Sequence, residues 1–203
     1  MCHYMKNLIS IVSILTLTIS ATAQRQISYR YTEIKKTQFD SCTKTLYFTS
    51  NAQIKKQSGK LTVPISGKPA KVFKDDSSDE KFHEFEYLGD IKSTKLSLVK
   101  RIDYNREEFY LINRITGTID TLIGLPVFAS NMRDFACINN PGTDEKQQVQ
   151  VCELRNGFVK TRIFLNGKAD IYLEDISCIN RNSLLTKDNK GKYWQLNFKI
   201  GTD

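Results

Sequence analysis

The chain has 203 residues, 40% of them hydrophobic, with 30 Lys and Arg against 22 Asp and Glu, a formal charge of +8 and an isoelectric point near 9.2. That length holds one domain with a real core, and no long low-complexity linker divides it. A basic chain suits nucleic acid, but no DNA- or RNA-recognition motif occurs, and an exported protein rarely meets nucleic acid.

Export is read from the first 23 residues. A short polar stretch with Lys6 precedes Leu8 to Ile19, which is apolar apart from Ser and Thr, and Ala21-Thr22-Ala23 supplies a small-x-small cleavage site before Gln24. This is the three-part order of a secretory signal peptide. The apolar run is shorter than the ~20 residues a bilayer span needs. No Cys closes the run to accept a lipid, since Cys2 lies before it. The expected mature chain is Gln24 to Asp203, one domain without a transmembrane segment, in the periplasm or outside the cell.

Charge is uneven along that chain. Gln24 to Lys74 holds eleven basic and two acidic residues, whereas Asp75 to Asp90 holds seven acidic and one basic. Lys on strands blunts sheet edges. The same basic third can also meet an anionic surface such as lipopolysaccharide, acidic glycan or phospholipid headgroups. Asp75-Asp76-Ser77-Ser78-Asp79-Glu80 reads as a polar loop.

In chain order the elements are almost all strands. Ile27 to Ile34 alternates and is rich in Tyr and β-branched residues. Thr45 to Ser50 follows. Leu61 to Ile65 contains Pro64, which places it at an edge or a strand end. Ala70 to Lys74, Phe82 to Ile91 and Leu96 to Ile102 come next. Phe109 to Asn139 reads as a strand, a Gly turn, a strand, a Pro-led strand, a polar turn and a strand. Gln148 to Leu154, Phe158 to Leu165, Ala169 to Ile179, Ser183 to Thr186 and Lys192 to Ile200 complete the set. Thr116-Gly117, Asn156-Gly157, Asn166-Gly167 and Lys190-Gly191 supply the turn residues hairpins need. No helical stripe with caps is present.

Parts of this pattern recur. Asp134-Phe135-Ala136-Cys137-Ile138-Asn139-Asn140 returns 41 positions later as Asp175-Ile176-Ser177-Cys178-Ile179-Asn180-Arg181, and Arg114 and Arg155 share the offset, each before a Gly turn. A period of ~40–45 residues with about four strands per unit is propeller spacing. Antiparallel propeller-like blades are therefore expected over Phe82 to Gly124, Leu125 to Leu165 and Ala169 to Ile200. Ile27 to Ile34 completes the last blade, and Thr45 to Lys74 is the remnant of a first. Over about residues 82–200 the spacing and the Leu125 to Ile138 strand-turn-strand resemble the WD40-like β-propeller repeat family. The Gly-His and Trp-Asp signatures are absent, and Trp194 is followed by Gln195. The alternative is a β-sandwich or a small barrel.

Four Cys remain after processing: Cys42, Cys137, Cys152 and Cys178. An even count in an exported chain permits two disulfides. Pairing Cys137 with Cys152 across the loop around Asn139 to Gln147 leaves Cys42 for Cys178. Buried free thiols packed as small apolar residues are the other reading.

Catalytic signals are few. His83, the only His after the leader, lies between Phe82 and Glu84 on a strand, and no Ser- or Cys-based nucleophile elbow accompanies it. No Cys and His spacing suits zinc. Asp75, Asp76, Asp79 and Glu80 lack the order of a calcium loop. Asp170, Glu174 and Asp175 are carboxylates whose separation only a structure can give. Tyr104, Tyr110 and Tyr172 could stack on sugars or fill a protein interface. The expected function is a non-catalytic binding or scaffold module for a protein or glycan, without cofactor or metal. A carrier of a small apolar ligand in a barrel and an extracellular glycan hydrolase are the alternatives.

Overall fold

The computed structural model describes residues 27–42, 48–139, 141 and 146–200. The leader and its Ala23–Gln24 junction lie outside the described residues. In order the elements are β1 (Ile27–Ile34), α1 (Lys36–Asp40), β2 (Phe48–Thr49), β3 (Lys56–Gln57), β4 (Lys60–Ile65), β5 (Lys68–Lys74), β6 (His83–Ile91), β7 (Leu96–Asp103) and β8 (Glu107–Asn113). They continue with β9 (Ile119–Leu122), β10 (Val127–Phe128), β11 (Asp134–Ile138), β12 (Gln148–Arg155), β13 (Phe158–Asn166), β14 (Leu173–Asn180), β15 (Ser183–Asp188) and β16 (Tyr193–Ile200).

The strands form four antiparallel sheets, each built mainly from consecutive hairpins. The first is β3-β4-β5, the second β2-β6-β7-β8-β9, the third β10-β11-β12-β13 and the last β1-β16-β15-β14. β1 pairs with β16 along its whole length, Ile27 opposite Ile200 and Ile34 opposite Tyr193. The last sheet is thus completed by the Ile27–Ile34 strand, as expected from a last unit that lacks a strand of its own.

Strand alternation decides which faces meet. In β4, Leu61, Val63 and Ile65 are buried while Lys60 and Thr62 face water. Those three residues meet Phe85, Val99 and Ile112 of the second sheet. The opposite face of the second sheet sends Leu98, Phe109 and Leu111 against Phe128, Phe135 and Cys137 of the third. The third sheet's other face packs Ala136, Val149 and Leu165 on Leu173, Ile176 and Leu196 of the last. The second and third sheets are therefore covered on both faces, so Leu96 to Val99 is buried without a break. Each buried Val, Leu, Ile or Phe among them contributes about 1.5–3 kcal/mol.

Several sequence expectations change here. Among the described residues every sheet is open, with two edge strands, and none closes into a small barrel. Four sheets also exclude a two-layer sandwich. Among the described residues no core cluster joins the first sheet to the last. One helix appears where none was expected. α1 has a single buried residue, Phe39, so it shows no stripe. It is held by Lys35 N–H donating to Gln38 Oε1 at 3.0 Å and Ser41 Oγ donating to the Gln38 carbonyl at 2.7 Å. Its Phe39 ring lies 5.0 Å from that of Tyr193. Residues 169–172 precede β14 rather than belonging to it.

The cysteines divide. Cys42 and Cys178 form a disulfide that closes 136 residues of chain. Cys137 and Cys152 are free and buried, which corrects the expected second bridge. The hairpin register sets Cys137 opposite Gln150 and Cys152 opposite Phe135. The two thiols are thus diagonal neighbours. Such positions lie about 7–8 Å apart, beyond the usual disulfide span.

The link from the second sheet to the third depends on one glycine. A Cβ on Gly124 would lie 1.9 Å from the carbonyl oxygen of Ile138. Only a residue without a side chain lets the chain cross β11 this closely.

Candidate functional site

A groove of about 620 Å³ lies where three hairpin turns converge. Ser93, Thr94, Lys95 and Leu96 come from the β6–β7 turn. Asn113, Ile115 and Thr116 come from the β8–β9 turn. Leu154, Asn156 and Gly157 come from the β12–β13 turn of the third sheet. The groove therefore straddles the second and third sheets, and two of its turns are the Gly turns that carry the 41-residue echo.

Asn113 builds this site. It is 5% exposed. Its Oδ1 accepts the N–H groups of Ile115 and Thr116 at 2.9 and 3.1 Å, which folds its own turn. Its Nδ2 donates to the Gly157 carbonyl at 2.9 Å, which ties that turn to the third sheet. Gly157 has φ +79°, and a Cβ there would lie 2.5 Å from Asn113 Nδ2. The glycine thus serves both the left-handed turn and the close approach. Thr94 Oγ1 donates to the Ile91 carbonyl at 2.7 Å and accepts Leu96 N–H. Thr116 and Thr118 share a hydroxyl contact at 2.8 Å.

The first and second sheets are joined by a charged knot. Asp90, 8% exposed, accepts from Ser97 Oγ at 2.6 Å, Tyr87 Oη at 2.8 Å and Asn51 Nδ2 at 2.9 Å. It also pairs with Arg114 at 2.8 Å. The Arg114 carbonyl in turn accepts Ser66 N–H from the first sheet at 2.7 Å. Burial, followed by the bond to Asp90, raises the Tyr87 phenol. This knot is structural: a buried carboxylate persists because every oxygen is partnered.

What the groove leaves unengaged is chemically informative. The Ser93 hydroxyl, the Lys95 ammonium and the Asn156 amide are exposed and have no partner among the described residues. They surround apolar Ile115, which is 56% exposed, and half-buried Leu154. Among the described residues of the lining, Lys95 is the one ionisable side chain and none is aromatic.

The residues singled out from sequence lie elsewhere. Tyr104, 62% exposed at the β7–β8 turn, packs on Phe82 at 4.8 Å. Tyr110 is half-buried, stacks on Phe73 at 6.1 Å and donates to Glu108 Oε2 at 2.7 Å. Tyr172 is half-buried before β14, and its carbonyl accepts Asn189 N–H at 2.9 Å. Two sit in the second sheet and one at the last, so the three do not converge. Both His83 ring nitrogens face carbonyls, Nδ1 to Lys81 at 2.8 Å and Nε2 to Lys74 at 3.1 Å. In the acidic loop Asp75 takes Phe85 N–H and pairs with Lys56, while Asp76 takes the amide and hydroxyl of Ser78. No group of three potential metal ligands occurs among the described residues, nor is any helix there long and apolar enough to cross a membrane.

No protein-family model matches the sequence, and no curated protein is significantly similar to it. Sequence reasoning identified the Gly turns as hairpins but not as a shared rim. The missing signal was their convergence, which depends on sheet packing rather than on local pattern.

Proposed function

We propose that this chain is an exported, propeller-like binding module whose turn-lined groove receives a segment of a partner protein. The observation that carries the reading is the set of unengaged Ser93, Lys95 and Asn156 around exposed Ile115. Hydroxyl, ammonium and amide groups can satisfy the backbone of an extended segment, and the apolar floor can take one side chain. A site for a sugar alone would be expected to offer an aromatic platform, and this groove has none. Sequential meander sheets, cores between consecutive sheets and closure of the last sheet by β1 support blade-like architecture. The Cys42–Cys178 disulfide supports an oxidising compartment. The groove lining holds no pair of carboxylates for glycoside hydrolysis, and the open sheets enclose no barrel interior.

The test is selection of the purified protein against a displayed random-peptide library. Selected peptides should lose binding to both Ile115→Asp and Asn156→Arg, while the melting temperature of each variant stays within a few degrees of wild type. Peptides that bind these variants as tightly as wild type would remove the groove from the function.

A further inference from the structure

A second concavity, of about 530 Å³, lies at the outer rim between the third and last sheets, lined by Tyr29, Arg30, Tyr31, Gly167 and Lys168. It shares no residue with the turn groove. Its volume falls within the range of small-ligand sites. β1 is the edge strand of the last sheet, and alternation sets Tyr29 and Tyr31 on one face of it. Their rings meet edge-to-face at 6.3 Å, and Tyr31 meets Trp194 the same way at 6.4 Å. The three rings form a ladder from the exposed rim inward. Tyr29, at its outer end, is 41% exposed. Lys192 stands 6.0 Å above Trp194.

Two groups lining this cleft, one on the ladder and one beside it, have binding capacity to spare. The Tyr31 hydroxyl is buried and has no hydrogen-bond partner. A buried hydroxyl left unpartnered costs about 1–3 kcal/mol, so an acceptor entering beside it would recover that loss. Lys168 has only an exposed carboxylate neighbour, Asp170, at 3.5 Å, and exposed pairs of this kind hold weakly.

We infer that this cleft is a site for an acidic sugar unit: the ring stacks on Tyr29, a ring oxygen or hydroxyl accepts from Tyr31 Oη, and the carboxylate pairs with Lys168. Sugars present C–H faces that suit a tyrosine ring and hydroxyls that suit its rim. The net positive charge of the chain and its expected export place it where acidic glycans occur. Burial, and then the neighbouring Tyr29, raise the Tyr31 phenol to about 12, so the hydroxyl stays a donor at every physiological pH.

The experiment titrates the purified protein with trigalacturonic acid, with its methyl ester and with hexaglutamate, by calorimetry and by chemical-shift mapping. The uronate should bind with shifts confined to β1, Gly167 and Lys168. Tyr29→Ala should weaken it about tenfold. Lys168→Gln should weaken it about threefold and flatten its salt dependence. The ester should bind wild type about as weakly as the acid binds Lys168→Gln. Both side chains are exposed, so their loss leaves the fold intact, which circular dichroism checks. No binding of the uronate at millimolar concentration, equal binding by Tyr29→Ala, or equal binding of hexaglutamate would each overturn the assignment. Peptide binding in the turn groove is scored separately with Ile115→Asp, which should leave uronate binding unchanged.

Discussion

In the third sheet, Asp134–Ile138 forms β11, paired on one side with β10 and on the other with β12. In the last sheet, the matching Asp175 to Ile179 lies in β14, an edge strand with β15 on one side only. Three of the five residues are identical, and the outcomes are opposite. Cys137 is fully enclosed between the second and third sheets and remains a thiol. Cys178 is half-buried at an edge covered by α1 and is bonded to Cys42. Ser177, beside it, donates to the Phe39 carbonyl at 3.1 Å. The comparison teaches that a repeated strand acquires its role from what covers it. An interior strand turns its Cys into packing, whereas an edge strand turns its Cys into an anchor for the N-terminal segment.

Removing the anchor should have the largest effect. A bridge across 136 residues restricts the unfolded chain strongly, and its loss costs about 2–5 kcal/mol. For a domain of this size, 1 kcal/mol moves the melting temperature by about 2–4 °C. Cys42→Ser with Cys178→Ser should therefore melt roughly 5–20 °C lower than wild type by calorimetry. Reductant should lower wild type similarly and leave the double variant unmoved. A reductant effect that persists in the double variant would show that a different pair is bridged.

The interior thiols give the next largest effect. Burial raises Cys152 to about 12 and Cys137 well above the ordinary thiol value, so both stay protonated and inert in the fold. Alkylation of the native, unreduced protein should label neither, and alkylation after unfolding without reductant should add two labels by intact mass. Cys137→Ser places a hydroxyl among Phe128, Phe135 and Leu111. It should cost about 1–3 kcal/mol in denaturant unfolding. Zero labels after unfolding would mean that the diagonal pair closes into a disulfide after all.

Much of the fold was legible because alternation and turn chemistry are local. The Gln148 to Leu154 and Phe158 to Leu165 hairpin follows from its apolar periodicity and Asn156-Gly157. The partnership of Ile27 to Ile34 with the C-terminal strand was legible because the last unit lacked a strand. The Cys137–Cys152 bridge was misjudged because a loop midpoint does not fix register. A shift of two residues separates the thiols without altering which face they occupy. α1 was invisible because five residues show no period. The candidate sites were the least legible. Tyr104 and Tyr110 look like binding residues by type, yet Tyr110 serves the interface with Phe73 and Phe85. Tyr29 and Tyr31 look like ordinary strand residues until β1 proves to be an edge beside Lys168.

The smallest effect concerns acid, and it falls on the one buried carboxylate of the last sheet whose pKa is lowered among the described residues. Asp188 in β15 is 1% exposed. Its Oδ1 accepts Lys190 N–H at 2.9 Å and Lys192 N–H at 2.8 Å, and its Oδ2 accepts Trp194 Nε1–H at 2.9 Å. Burial alone would push this carboxyl up. The Trp194 and backbone donors outweigh burial and hold it below the ordinary aspartate value. A pKa lower in the folded than in the unfolded chain gives stability that is complete above the unfolded value. That stability fades as pH falls from there through the folded pKa. Wild type should therefore lose stability on acidification from about pH 5. Asp188→Asn should be less stable at neutral pH, because its amide N–H₂ would face donors. It should also show a shallower loss across the same acid range, by urea unfolding at each pH. Equal slopes would place the acid sensitivity elsewhere and leave the turn that supports Trp194, and with it the inner end of the Tyr29–Tyr31 ladder, indifferent to this carboxylate.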